Sequence, residues 1–281
     1  MSSLRATRSV THIHPGLVTR LFDDAAIFPP GNAPMGVALK RHTRWRTTPT
    51  GAFVGPFICS APRLPELADH AADFPLCLTL PQGPAGDPTG GGWSSHGRCR
   101  ITSLEVPLAT TDVPTLARLT TARTVYAEIP IHALTQGIAE QLAAHGIGLK
   151  LRTGGTTADA FPTANQLANA LATTVRVGLP FKLTAGLHRA VRHRDPDTGF
   201  EHHGFLNVMA ATAAATGGAD ANELTAVLAD EDATRTVERV IAIREPDVRP
   251  VRRLFRSFGT CSIDEPLNDL AALGVLKRVT T

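Results

Sequence analysis

Eight short apolar runs alternate with helix-patterned segments along this chain, and that alternation restricts its fold more than any other feature. The strand-like runs are Ala25–Phe28, Ala52–Cys59, Phe74–Leu80, Ile101–Leu108, Thr124–Ile129, Gly148–Arg152, Pro180–Thr184 and Arg253–Gly259. Between them, helical spacing of apolar residues covers Pro62–Ala72, Val113–Thr121, His132–His145, Thr163–Thr174, Gly204–Thr216, Glu223–Arg244 and Glu265–Leu276. Strands that alternate with helices build a parallel sheet covered by helices. Eight such units, in a core of roughly 250 residues, point to one α/β domain, a (β/α)8 TIM-type barrel. A doubly wound open sheet is the competing architecture. It would be expected to place a phosphate loop after a strand, and neither GxGxxG nor GxxxxGK[ST] follows any of these runs.

The barrel is expected over residues 15–281, with residues 1–14 as an N-terminal tail. That tail holds Arg and Ser, lacks acids and has no apolar stretch of secretory type. Gln82–Cys99 and Gly186–His203 follow the third and seventh strands and are long. The region between strands seven and eight is elaborated further, by helices up to Arg244. Loops after barrel strands lie on the face that carries active sites, and long loops in compact domains tend to be functional.

Net charge is +3 and aromatic content is 5%, with no run of five or six like charges, so no nucleic-acid partner is expected. No apolar run reaches membrane-spanning length, so no membrane partner is expected. The four cysteines, Cys59, Cys77, Cys99 and Cys261, show no CxxC spacing, which fits a reducing cytoplasm rather than a disulfide framework. The sequence leaves homo-oligomerisation open.

Of 28 basic residues only four are lysines, Lys40, Lys150, Lys182 and Lys277. Two occupy similar settings, GIGLKLRTGG at 146–155 and GLPFKLTAGLH at 178–188. Arginine keeps its proton in proteins, whereas a buried lysine can lose one, and only the neutral amine attacks a carbonyl. Strand side chains alternate faces. The leucines flanking Lys150, and Phe181 with Leu183 flanking Lys182, would pack under helices and aim both lysines into the barrel. The same parity turns Glu105 and Glu128 inward, with Arg152 nearby. Crowding of one cation by another would lower a lysine pKa and free its amine. A salt-bridged polar layer without catalytic function is the alternative.

Glycine-containing turns follow strands six, seven and eight: Thr153-Gly154-Gly155, Ala185-Gly186 and Gly259-Thr260-Cys261-Ser262. Thr184 lies inward beside Lys182. Turns after strands seven and eight often hold phosphate on backbone N–H groups. His188 closes the strand-seven motif, Asn207 is a candidate substrate contact, and His203-Gly204 would cap the next helix. Asp23 and Asp24 precede the first strand-like run, which places them on the stability face. Cys261 is a candidate nucleophile, with a buried structural thiol as the commoner outcome.

These residues resemble the 2-deoxyribose-5-phosphate aldolase family of Schiff-base barrel enzymes, from strand three to strand eight. Lys150 in KLRTGG stands where that family has a K-T-S-T-G-like motif, although Arg152 replaces a small residue. Lys182 in KLTAG matches a K-x-S-G-G-like motif, and Gly259-Thr260-Cys261-Ser262 a G-x-S-S-like phosphate turn. Glu105 in LEVPL, Glu128 in AEIPIHAL and Leu80-Pro81-Gln82-Gly83 match more loosely. The resemblance implies a lyase in which neutral Lys150 forms an imine with a small carbonyl substrate, phosphorylated or not. Lys182 with Glu105 or Glu128 would move protons, and no cofactor or metal is needed. Arg152, Thr153, Gly154, Gly155, Thr184, Gly186, His188, His203, Asn207, Gly259, Thr260 and Ser262 would bind substrate.

Two alternatives stay open. His188, His193, His202 and His203 lie in one loop, so a Zn or Fe lyase, isomerase or hydrolase using His188 with strand-end carboxylates is one. A non-catalytic ligand-binding barrel is the other.

Overall fold

A computed structural model describes residues 12–67, 73–86, 95–96, 99–120 and 123–276. Its centre is a closed barrel of eight parallel strands. They are β1 (Phe22–Asp24), β2 (Val54–Ser60), β3 (Pro75–Thr79), β4 (Cys99–Pro107), β5 (Thr124–Ile129), β6 (Gly148–Arg152), β7 (Phe181–Thr184) and β8 (Phe255–Thr260). Neighbours in sequence pair in space, and β1 pairs with β8 to close the ring.

Besides a single α-helical turn at Pro15–Val18, the α-helices among the described residues are α1 (Met35–Arg46), α2 (Val113–Leu119), α3 (Gln136–Ala144), α4 (Ala164–Arg176), α5 (Phe205–Thr216), α6 (Ala221–Ala229), α7 (Ala233–Ile241), α8 (Val248–Leu254) and α9 (Asp264–Ala272). Among the described residues no helix is long and apolar enough to cross a membrane. Alternation along the strands sorts the core as the sequence requires. Leu149, Leu151, Phe181, Leu183, Leu104 and Val106 are buried in the apolar cluster. The residues between them point into the barrel.

Several boundaries differ from expectation. The first strand is Phe22–Asp24, not Ala25–Phe28, because Phe22 packs its ring on Phe205 and Phe258 and so belongs to the apolar layer. This turns Asp23 inward, within the barrel rather than on its stability face. Asp24 turns outward, where its carboxylate meets His42 Nδ1 of α1 at 3.0 Å. The start of the expected Pro62–Ala72 helix is instead a 3-10 segment, Ala61–Leu67, with Pro65 inside it, where a missing N–H prevents a regular α-helix. The rest of that stretch lies outside the described residues. Glu223–Arg244 is two helices, broken where Asp232 leaves the helical conformation and caps α7 by accepting from Arg235 N–H at 3.0 Å. Helix α8 runs straight into β8, so Arg253 is helical.

The elaboration between β7 and β8 consists of a small antiparallel pair, His193–Arg194 with Glu201–His202, followed by α5 to α8. Of the Gln82–Cys99 loop, residues 87–94 and 97–98 lie outside the described residues. In the expected tail, residues 1–11 also lie outside them, while Ile13 is buried and its N–H donates to Val275 O at 3.0 Å.

Gly55 on β2 shows how tightly the interior is filled. A Cβ there would sit 2.1 Å from Asp23 Oδ1. Gly55→Ala is therefore expected to destabilise the protein by about 1–3 kcal/mol through overpacking. Chemical denaturation at neutral pH measures it, and an unchanged midpoint would show that Asp23 can move aside.

Candidate functional site

Register on adjacent strands sets the site. Lys150 of β6 lies beside Glu128 of β5 on one side and Lys182 of β7 on the other. Glu105 of β4 reaches across to both lysines. Lys150 Nζ donates to Glu105 Oε2 at 2.6 Å and lies 2.9 Å from Glu128 Oε2. Lys182 Nζ donates to the other Glu105 oxygen, Oε1, and to Asp23 Oδ2 at 2.7 Å. One carboxylate thus bridges two ammonium groups.

A graded path results. Asp23, Lys182 and Glu105 are each only 1% exposed and Lys150 is 6% exposed. The Glu128 side chain is 24% exposed and that of Arg152, 3.6 Å from it, 54%. Charges alternate along the path, from a carboxylate deep in the barrel to a guanidinium at its rim.

Three further groups line the deep end, and the sequence reading passed over all of them. Ser257 Oγ of β8 donates to Asp23 Oδ2 at 2.7 Å. The Cys77 thiol of β3 donates to Glu105 Oε1 at 3.1 Å. Lys182 Nζ lies 5.4 Å from the centre of the Tyr126 ring, a cation–π distance. Asp23 itself was placed on the wrong face. The available signal was the adjacent acid pair after Leu21-Phe22, since strand parity sends one of two neighbours inward.

Electrostatics corrects one expectation outright. Burial by itself favours the neutral amine of Lys150, but Glu105 and Glu128 outweigh it and raise its pKa above the ordinary lysine value. Burial also acts to lower Lys182, and Asp23 and Glu105 among its neighbours raise it well above that value. Crowding therefore does not free either amine, because three carboxylates surround the two cations. Burial would raise Glu105, yet Lys150 and Lys182 hold it well below the usual carboxylate range. For Asp23 burial prevails over Lys182, and its pKa is raised. The two carboxylates that share Lys182 are pushed in opposite directions, the pattern that separates an acid from a base.

The turns after β6 and β7 hold each other, and the turn after β8 closes on itself. Thr153 Oγ donates to Ala185 O at 2.5 Å, tying two of them together. A Cβ on Gly154 would lie 2.9 Å from Gly186 Cα, and Gly186 has φ +77°, so both positions need glycine for the backbones to cross. Gly155 is crowded by Ala160. Thr260 Oγ donates to Ser262 O at 3.0 Å and accepts from Ser262 N–H at 3.3 Å, which occupies the N–H that a phosphate would use. Gly259 pairs in register with Thr184, and a Cβ on it would meet Thr184 Oγ at an ordinary 3.4 Å.

His203 and Asn207, expected as substrate contacts, are fully buried and engaged with other parts of the protein. His203 Nε2 is 2.8 Å from Pro162 O, and burial pushes its pKa down to about 4. Asn207 accepts from Arg192 N–H at 2.8 Å and donates to Val227 O and Asp230 O. His203 thus ties the loop after β7 to the segment before α4, and Asn207, on α5, ties that loop to α6 and the turn after it. The expected grouping of His188 with strand-end carboxylates does not form, because Glu105 and Glu128 are bound by lysines. His188 Nδ1 instead faces Glu265 Oε2 at 2.8 Å and Cys261 Sγ at 3.8 Å. His193 and His202 face the backbone carbonyls of Val191 and Gly186. Among the described residues no group of three or more His, Cys, Asp or Glu side chains is arranged to hold a metal ion.

Burial acts to lower His188, but Cys261 and Glu265 outweigh it and raise its pKa to about 9. A raised pKa stabilises the fold fully below the unfolded value of about 6.5, and that contribution fades as pH rises through about 9. NMR titration should show the His188 ring protonated through neutral pH, with Glu265→Gln shifting its midpoint down. An ordinary midpoint in the parent protein would contradict the ion pair.

A surface concavity of about 520 Å³, lined by Asp230, Glu231, Asp232, Arg235 and Arg239, lies on the outer helices. Its Asp230 is tied to both arginines. No family model, curated protein or solved structure matches the chain.

Proposed function

We propose that this barrel is a lyase of the Schiff-base type, in which Lys150 forms an imine with a small uncharged carbonyl compound. One observation carries the reading: Lys150 Nζ sits between a carboxylate fixed by two lysines, Glu105, and a carboxylate that reaches solvent, Glu128. Resting Lys150 is an ammonium. On substrate entry Glu128, the more exposed neighbour, takes its proton, and the neutral amine attacks the carbonyl carbon. Loss of water from the adduct gives a protonated imine. Glu105 stays ionised beside it and stabilises that cation, because Lys182 holds Glu105 in its charged form. The imine then accepts the electron pair of the breaking carbon–carbon bond. Glu128, a carboxylate again once its proton has left with the water, takes the proton of the substrate's β-hydroxyl, and that fragment departs as a carbonyl. Glu128 returns the proton to the enamine carbon, and water hydrolyses the imine to free Lys150.

The charge balance favours an uncharged substrate over a phosphorylated one. Three carboxylates face two lysines, Arg152 already lies beside Glu128, and the turn at Thr260 is closed by its own hydrogen bonds.

Trapping tests this directly. The protein is incubated with a panel of short aldehydes, ketones and polyols bearing a carbonyl, reduced with cyanoborohydride, and mapped by peptide mass. An adduct on Lys150 that grows with substrate concentration is expected. Adducts confined to Lys40 or Lys277, or none at all, would overturn the reading.

The raised Lys150 pKa favours a second reading, in which the ammonium acts as a general acid for enolisation and no imine forms. Then α-proton exchange with deuterated water proceeds without an adduct.

A further inference from the structure

The loop after β7 and the end of β8 bring together a second set of reactive groups, which the lysine chemistry does not use. Cys261 follows the last residue of β8 and is partly exposed. Its Sγ lies 3.8 Å from His188 Nδ1, and that nitrogen lies 2.8 Å from Glu265 Oε2 of α9. The His188 side chain is 21% exposed, so the trio opens to solvent. A Cβ on Gly31 would sit 3.0 Å from Cys261 Cβ and 2.9 Å from Ala26 O, so the loop after β1 lies directly against Cys261 and fixes its position.

The other three cysteines are built differently. Cys59, Cys77 and Cys99 are buried within strands. Burial pushes the Cys59 thiol up to about 12, and the Cys77 thiol is engaged with Glu105.

We propose that Cys261, His188 and Glu265 form a thiol modification site at the mouth of the barrel that takes small soft carbon electrophiles. A cation next to sulfur stabilises the negative charge that develops as the thiol loses its proton and attacks. Glu265 holds the imidazolium in place and sustains its charge. In the step itself the sulfur forms a bond to the electrophilic carbon, the carbon–halogen bond of a haloacetamide breaks, and halide leaves with the electron pair. The thiol proton passes to solvent, and no oxidant or reductant is consumed.

Limiting iodoacetamide on the folded full-length chain, followed by peptide mapping over time, provides the test. Cys261 should alkylate at least about tenfold faster than Cys59, Cys77 or Cys99. His188→Gln should slow Cys261 by about tenfold while thermal unfolding shows an intact fold. Should His188→Gln fail to fold, Glu265→Gln, on the half-exposed first turn of α9, gives the same readout and should also slow the reaction. Lys150→Met should leave the rate unchanged, which separates this site from the imine chemistry. Equal labelling of all four cysteines, or a Cys261 rate unaffected by the folded variant, would overturn the proposal, since the thiol would then be merely accessible.

Discussion

Glu105→Gln is expected to destabilise the protein by about 3–5 kcal/mol, because it leaves two buried ammonium groups without the carboxylate they share. Glu105 binds Lys150 through Oε2 and Lys182 through Oε1, so a single change breaks both pairs. Its amide would also turn an N–H donor toward an ammonium. The pH dependence follows from the depressed Glu105 pKa. A carboxylate held below its unfolded value stabilises the fold above about pH 4.3, and the contribution is lost as pH falls below that. The parent protein should therefore lose stability toward acid more steeply than the Gln variant. Denaturant titrations at several pH values measure both slopes. A cost under about 1 kcal/mol, the range of exposed pairs, would mean that the cluster is solvated.

The second large effect separates the two lysines. Lys182→Met leaves Asp23 buried without its cation and Glu105 with Lys150 alone, so its main cost is to stability. Lys150→Met leaves Glu105 with Lys182, and leaves Glu128 able to reach solvent and Arg152. It should fold with a smaller penalty, yet lose the trapped adduct entirely. If the acid reading holds instead, it should slow α-proton exchange by about 10²–10⁴-fold. Retention of both activities in a folded Lys150→Met protein would remove Lys150 from the chemistry.

Much of the site was legible because strand parity is a local property. Leu149, Lys150, Leu151 and Phe181, Lys182, Leu183 show their two faces within a few residues. That alone placed both amines inside the barrel with Glu105 and Glu128. Asp23 was not legible in the same way. Its partner, Lys182, is 159 residues away, and the more apolar run after it drew the strand boundary forward. Helix α1 was missed because its buried residues are Met35, Ala38, Leu39 and His42, a helical spacing carried by a short alanine and a histidine. The direction of the lysine pKa shifts was also out of reach. It depends on how many carboxylates the closed barrel brings to each amine, and a list of neighbours along one strand does not contain that number. His203 and Asn207 looked like ligand contacts because His203 ends a long loop after a barrel strand and Asn207 follows just beyond it, where polar residues usually face solvent. Here Pro162 O, on the segment before α4, takes the His203 ring, while Val227 O, Asp230 O and the Arg192 N–H occupy the Asn207 amide.

The scarcity of lysine makes a direct measurement practical. With only four lysines in the chain, selective isotope labelling of their side chains gives a spectrum simple enough to follow across alkaline pH. Two of the four signals should remain protonated above the ordinary lysine pKa of about 10.4, and both should move down in Glu105→Gln. If Lys150 and Lys182 instead titrate at or below that value in the parent protein, the carboxylates do not hold the amines, and the coupled cluster at the centre of the barrel is not there.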